Sequence, residues 1–287
     1  MDSPFDLLLA GHLTEDRILR SGEELRAPGG AVYYGAFPAA LTGARVGVLT
    51  KLAPEDRALL DELLAAGIQV VVRPSSKTTR IRTEPKTADF ERRAFHVESR
   101  AEAFEPADCD GLSARIAVAC PLMRGEMSLA VIQRLAGCGR LALDVQGFVR
   151  RPQEGTLRSG DWEEKAAGLA AVHTLKTDRR EVELLTGSTD VEAGLRALAA
   201  LGPSEILCTH SRGVTLLAGG ELHEAAFTNR SNAGRTGRGD TTFATYLARR
   251  LVAGPAEALR FAAFMVSRKL EQPGPFKGPI DPAWLGG

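Results

Sequence analysis

Short apolar runs alternate with helix-period stretches along most of this chain, and that alternation constrains its architecture more than any other feature. Phe5–Ala10 (FDLLLA), Arg45–Thr50 (RVGVLT) and Ile68–Val72 (IQVVV) are apolar runs of strand length, as are Ile116–Ala119, Leu141–Asp144, His173–Lys176 and Glu205–Thr209. A strand without polar alternation is buried on both faces, which is the habit of parallel sheets covered on both sides. Between the runs lie helical patterns: Asp56–Ala66, with Leu59, Leu60, Leu63 and Leu64 on one face and Gly67 closing it, then Ser128–Ala136, Trp162–Ala171, Arg179–Thr186 and Val191–Leu201. Such repetition predicts a doubly wound, mostly parallel α/β sheet with helices on both faces.

Two stretches break the rhythm. Thr78–Ser99 (TTRIRTEPKTADFERRAFHVES) is polar with short alternating runs, the pattern of exposed, one-sided strands. Val214–Phe227 (VTLLAGGELHEAAF) reads as two strands joined at Gly219-Gly220. No repeat or low-complexity linker divides the 287 residues. The expectation is one domain spanning 1–287 with a small β lid inserted, drawn from about residues 13–34 and 73–99.

Lys plus Arg equals Asp plus Glu at 36 each, so no net field draws the chain to nucleic acid or to an anionic membrane. No run reaches bilayer-spanning length, and the N-terminus MDSPFDLLLAGHLTEDR lacks the basic leader and apolar core of a signal peptide. Cys109, Cys120, Cys138 and Cys208 are widely spaced, with no CxxC pair and no histidine at ligand spacing. Reduced thiols in a cytoplasmic protein are expected, not a zinc site.

The chemistry concentrates in SNAGRTGRGDTTFATYLARRL, Ser231–Leu251. Glycines fill its first third, and a helix pattern follows from Thr241. A helix N-terminus offers unpaired N–H groups and a positive dipole end. Gly237 and Gly239 allow a tight turn and close approach of a phosphate, and Arg238 adds charge. A carboxylate at Asp240 would repel an anion held there. It makes sense as the acceptor of a proton from a hydroxyl attacking that phosphate, or as a plain N-cap.

GRTGRGDTTFATY resembles the C-terminal signature of the PfkB carbohydrate kinases, the ribokinase-like family. APGGAVYYGAFPAALTGARVGVLTKLAPEDR is similar to the family's N-terminal signature, LKTDRREVELLTG to its NxxE segment, and ILCTHSRGVTLLAGG to its TxGxxG nucleotide segment. The likeness runs from residue 5 to about 277. Within the family, AGHLTEDRIL, LALDVQGFVRR, GRTGRGD and EQPGPFKG are similar to the myo-inositol kinase-like members. Four departures stand out. Tyr34 replaces the Asn of many sugar-specific members, Arg238 replaces a small residue, Asp178 replaces the Asn of NxxE, and the TxGxxG segment is one residue short.

The resemblance implies an ATP- and Mg²⁺-dependent kinase transferring the γ-phosphate to a cyclic polyol or sugar, myo-inositol first. Asp240 would be the general base, with Gly237, Arg238 and Gly239 as the anion hole. Acceptor contacts would come from Asp16, His12, Gly29, Gly30, Tyr34, Gln146 and Arg150. Nucleotide contacts would come from Lys176, Thr209, Ser211, Gly213 and Thr236, and Mg²⁺ would be held, largely through water, by Asp178 and Glu181. The partners expected are small molecules, and the protein is expected to be a monomer or a lid-mediated homodimer. Two other readings stay open. One is a ribose-, fructose- or nucleoside-kinase, with Tyr33, Tyr34 and Phe95 as a shelf for a base. The other is a non-catalytic sugar sensor on the same fold.

Overall fold

The computed structural model describes residues 5–20, 23–85 and 93–284. Phe5–Ala10 (β1) leads into a hairpin of Thr14–Arg20 (β2) and Glu23–Gly29 (β3), then helix Ala31–Ala40 (α1) and strand Val46–Leu52 (β4). Asp61–Ala65 (α2) and Gln69–Pro74 (β5) follow, then Thr79–Pro85 (β6) and Arg93–Ser99 (β7). Next come Ala114–Ala119 (β8), Leu129–Ala136 (α3), Arg140–Asp144 (β9) and the single turn Gln146–Val149 (α4). Arg150–Gln153 (β10) and Thr156–Ser159 (β11) form a second hairpin. The last part runs Lys165–Leu169 (α5), Thr174–Asp178 (β12), Arg179–Thr186 (α6), Val191–Ala199 (α7) and Glu205–His210 (β13). It ends with Gly213–Ala218 (β14), Glu221–Ala226 (β15), Arg238–Arg250 (α8) and Pro255–Leu270 (α9).

Among the described residues the larger sheet has nine strands in the order β15-β14-β13-β12-β9-β8-β1-β4-β5. From β13 to β5 all neighbours run parallel, and β14 and β15 close the far edge antiparallel. Side chains of β1 alternate between two cores, as the strand period demands. Leu7 and Leu9 pack with α1, α8 and α9, while Leu8 and Ala10 pack with α3, α6 and α7. The strand order reverses about β1, so the open ends of β1, β8, β9 and β12 leave a crevice, the usual ligand position in such sheets.

A second sheet, β10-β11-β7-β6-β2-β3, has six strands among the described residues. Only β2 and β6 pair parallel within it. Its register sets Thr14 beside Thr79, Asp16 beside Ile81 and Ile18 beside Thr83. Arg80 ties it to the main body, bonding Glu15 on β2 at 2.9 Å and Asp56 at 2.7 Å.

Several boundaries differ from the sequence pattern for identifiable reasons. Asp56–Ala66 is a 3₁₀ stretch, Pro54–Leu60, followed by the short α2, not one helix. The helix expected over Trp162–Ala171 is confined to α5. Trp162 precedes it, buried and stacked on Phe148 at 4.2 Å between centroids. The hairpin β10–β11 was hidden in the arginine-rich run after Phe148. Residues 21–22 and 86–92 of the expected lid lie outside the described residues. Among the described residues no helix is long and apolar enough to cross a membrane.

Candidate active site

Helix α8 begins three residues earlier than the apolar pattern indicated. Its N-cap is Gly237, at φ 82 in the left-handed region, and Asp240 falls inside the first turn. Asp240 is therefore not the cap. A Cβ on Gly237 would stand 2.2 Å from the Tyr34 ring, so both the dihedral and the packing demand glycine there.

Asp240 opens into a cleft of about 140 Å³ between the six-stranded sheet and the N-terminal ends of α1 and α8. The cleft is lined by Thr14, Asp16, Ile18, Gly30, Ala31, Tyr34, Ile81, Thr83, Phe95, Leu122, Gln146, Arg150, Leu157, Thr236, Gly237 and Asp240. That volume is small beside the roughly 300–1,000 Å³ of pockets for drug-sized ligands, and it suits one small ring. Thr14 donates to Asp16 Oδ1 at 2.6 Å. A Cβ on Gly29 would stand 2.2 Å from Asp16 Oδ2, so Gly29 serves by making room for that carboxylate. Gln146 follows β9, its backbone N–H donating to Asp144 Oδ1 at 3.0 Å. The Arg150 guanidinium lies over Phe95, 5.4 Å from the ring centroid.

Under the glycine turn lies a buried ion pair. Lys176 Nζ is 3.0 Å from Asp144 Oδ2, and the two residues are 4% and 2% exposed. Lys176 Nζ also sits 3.1 Å from where a Cβ of Gly239 would stand. Burial pushes the Lys176 ammonium down, but Asp144 first, then Glu181 and Asp240, hold it well above its usual value. Burial pushes the Asp240 carboxyl up to about 6, against the pull of Lys176 and with a further push from Asp144. A carboxyl at that value can accept a proton near neutral pH and part with it again.

Other expected residues sit elsewhere. His12 is 3% exposed and does not line the cleft. Its ring nitrogens lie 3.0 Å from Thr79 Oγ1 and 3.1 Å from the Glu102 carbonyl, which makes it a packed structural histidine. Thr236 lines the same cleft as Gly237. Thr209 is buried at the end of β13, its hydroxyl 3.5 Å from the Thr177 carbonyl. Gly213 is dictated by packing, since a Cβ would stand 2.4 Å from the Ala225 carbonyl across the hairpin, and Ser211 is exposed in the preceding turn. The charges of Arg179, Arg238 and Arg212 act on His210. Burial first and then Arg179 depress the imidazole, with Glu224 opposing.

Asp178 and Glu181 form a capping box at α6. Asp178 Oδ1 accepts from Glu181 N at 2.9 Å, and Glu181 Oε2 accepts from Asp178 N at 2.8 Å. Among the described residues no cluster of three or more His, Cys, Asp or Glu could hold a metal ion. Each carboxylate spends one oxygen on the box. Two carboxylates suit an ion such as Mg²⁺, which keeps several waters and takes the rest of its ligands from phosphate.

The sequence reading missed Thr14, Ile18, Ile81, Thr83, Ala31, Leu122 and Leu157 in the cleft wall. The strand period contained part of the signal: once Asp16 faces the cleft, Thr14 and Ile18 must too.

No family model matches the chain. A pyrophosphate-dependent kinase in the ribokinase family, complexed with a pyrophosphate analogue and myo-inositol, is 33% identical over 94% of this chain and 96% of that one, with a TM-score of 0.87. A fructokinase from Vibrio cholerae, with fructose, ADP and a potassium ion bound, shares the fold at TM-score 0.76 and 18% identity, over 95% of this chain and 94% of that one. A cytidine kinase of Thermococcus kodakarensis is 26% identical over 225 residues, 76% of this chain and 78% of that protein.

Proposed function

This chain belongs to the ribokinase family, phosphotransferases with an alcohol group as acceptor, and we propose that it phosphorylates one hydroxyl of a cyclic polyol, myo-inositol first. One observation carries the reading: the Asp240 carboxyl, raised to about 6, faces the same small cleft as Asp16 and stands in the first turn after a left-handed glycine. Asp16, with Thr14 behind it, accepts hydrogen bonds from acceptor hydroxyls, and Gln146 and Arg150 border the same ring. The apolar side, Ile18, Ile81, Phe95, Leu122 and Leu157, suits the C–H face of a ring. Asp240 takes the proton as the hydroxyl oxygen bonds to phosphorus and the bond to the leaving phosphate breaks. Negative charge on the transferred group is met by the first N–H groups of α8, by Arg238 and by Lys176 beneath Gly239. Asp178 and Glu181 would hold Mg²⁺ through water, and the ion would supply counter-charge for the donor phosphates. The six-stranded sheet acts as the lid that keeps water from the transfer.

The family resemblance implied ATP as donor. We favour pyrophosphate. The charges of Arg179, Arg238 and Arg212 act on His210 against that of Glu224, a net positive setting that suits a compact polyanion, and the neighbour at 33% identity is pyrophosphate-dependent. A nucleoside acceptor is the second reading, supported by Phe95 in the cleft wall and by the cytidine kinase relative. The test is ³¹P NMR detection of phosphorylated product with Mg-pyrophosphate or Mg-ATP across myo-inositol, ribose, fructose, adenosine and cytidine, run beside Asp240→Asn. Product on myo-inositol with pyrophosphate, lost in the variant, is expected. Turnover only with ATP reverses the donor, and dominant turnover of cytidine discards the polyol.

A further inference from the structure

Lys269, in the last turn of α9, is 1% exposed, and the charge of the proposed base Asp240 acts on it. Its Nζ donates to the Gly234 carbonyl at 2.5 Å and to the Gly274 carbonyl at 2.7 Å, and stands 5.5 Å from the centroid of the Tyr34 ring. The chain at Gly234 is pressed onto the end of α9. Gly234 N donates to the Leu270 carbonyl at 2.8 Å, and a Cβ on Gly234 would stand 1.9 Å from the Gln272 carbonyl. The negative end of α9, loop carbonyls and an aromatic face thus converge at the root of the turn that leads to Gly237 and Asp240. Carbonyls converging this way repel one another and call for a cation. Burial lowers the Lys269 ammonium to about 8, and Asp240 opposes that shift. Such a group is costly to bury without a task.

We propose that the Lys269 ammonium is a built-in monovalent cation, holding the 234–240 turn in its transfer geometry so that the enzyme needs no added potassium or ammonium ion. Lys269 is a positioning residue: it acts through the turn. The inference rests on the reading of residues 237–240 as the phosphoryl-transfer turn.

The experiment compares wild type, Lys269→Ala and Lys269→Met in choline, sodium, potassium and ammonium chloride at one ionic strength. Wild type is expected to turn over equally in all four. Lys269→Ala leaves room for an ion. In choline it should lose about 10²-fold in kcat, with acceptor KM little changed, and potassium or ammonium should restore much of the loss. Lys269→Met fills the space without a charge and should stay slow in every salt. Thermal melts without substrate read the seat independently of chemistry, and potassium should raise the Tm of Lys269→Ala above its value in choline. Three results overturn the proposal: a potassium requirement in wild type, full kcat in Lys269→Met, or a Lys269→Ala defect that no cation relieves. Potassium that raises the Tm of Lys269→Ala without touching kcat keeps a cation seat and refutes its part in transfer. If Lys269→Ala fails to fold, wild type and Lys269→Met still decide.

Discussion

A carboxyl whose charge is disfavoured where it stands must be kept for some other reason. Asp240 is raised from 3.8 to about 6 chiefly by burial. Between those values the folded protein binds a proton that the unfolded chain has released. Stability therefore falls as pH rises through that window, and the penalty is complete above about 6. Asp240→Asn is accordingly expected to raise Tm at pH 7.5, with the gain shrinking as pH falls below about 6 and lost below about 4. The same change should lower kcat by roughly 10²-fold or more while leaving donor binding intact. In wild type, kcat/KM for the acceptor should climb with pH through about 6 as the base is freed. Calorimetry and a pH–rate profile check both arms, and an unchanged kcat removes Asp240 from the mechanism. Asp144 is the converse case. Its loss in Asp144→Asn strands the Lys176 ammonium, and breaking a buried pair in this way costs about 3–5 kcal/mol. A denaturant titration reads it.

At the scale of the element, the glycine turn before α8 separates two kinds of glycine. Gly237 has φ 82 and the Tyr34 ring where its Cβ would go. Gly239 has ordinary helical surroundings and only the end of the Lys176 side chain, with no backbone atom, at 3.0–3.1 Å. Gly237→Ala should therefore lower both Tm and kcat, whereas Gly239→Ala should lower kcat with a much smaller change in Tm. Equal Tm losses would show that the turn is held by something other than the left-handed residue. The strand elements follow the same logic of local rules. Thr14, Asp16 and Ile18 share one face of β2 by its period of two, and the parallel pairing with β6 lays Ile81 and Thr83 alongside.

For the whole molecule, the cleft exists only where the six-stranded sheet meets the α1 and α8 ends of the main body. An acceptor bound there bridges both and stabilises the fold by mass action, about 2.7 kcal/mol at a hundred times its Kd. Without any donor, myo-inositol should raise Tm in a concentration-dependent way, and ribose and cytidine should do so less. A larger shift with cytidine would favour the nucleoside reading.

The sequence by itself determined what depends on neighbours along the chain. The buried parallel strands, the α6 cap at Asp178 and Glu181, the hairpin at Gly219-Gly220 and the Gly237–Asp240 turn all follow from residues a few positions apart. Side-chain period, capping and φ preference are short-range properties, so they are visible in one dimension. Only the tertiary structure decided that His12 turns inward to Thr79 and Glu102, that Trp162 stacks on Phe148 ahead of a shortened helix, and that Thr236 joins the acceptor cleft. It alone set the Lys269 ammonium between the Gly234 and Gly274 carbonyls. Each of these outcomes is a contact between segments far apart in the chain, selected by burial and polar satisfaction after the layers pack, and no local pattern encodes it.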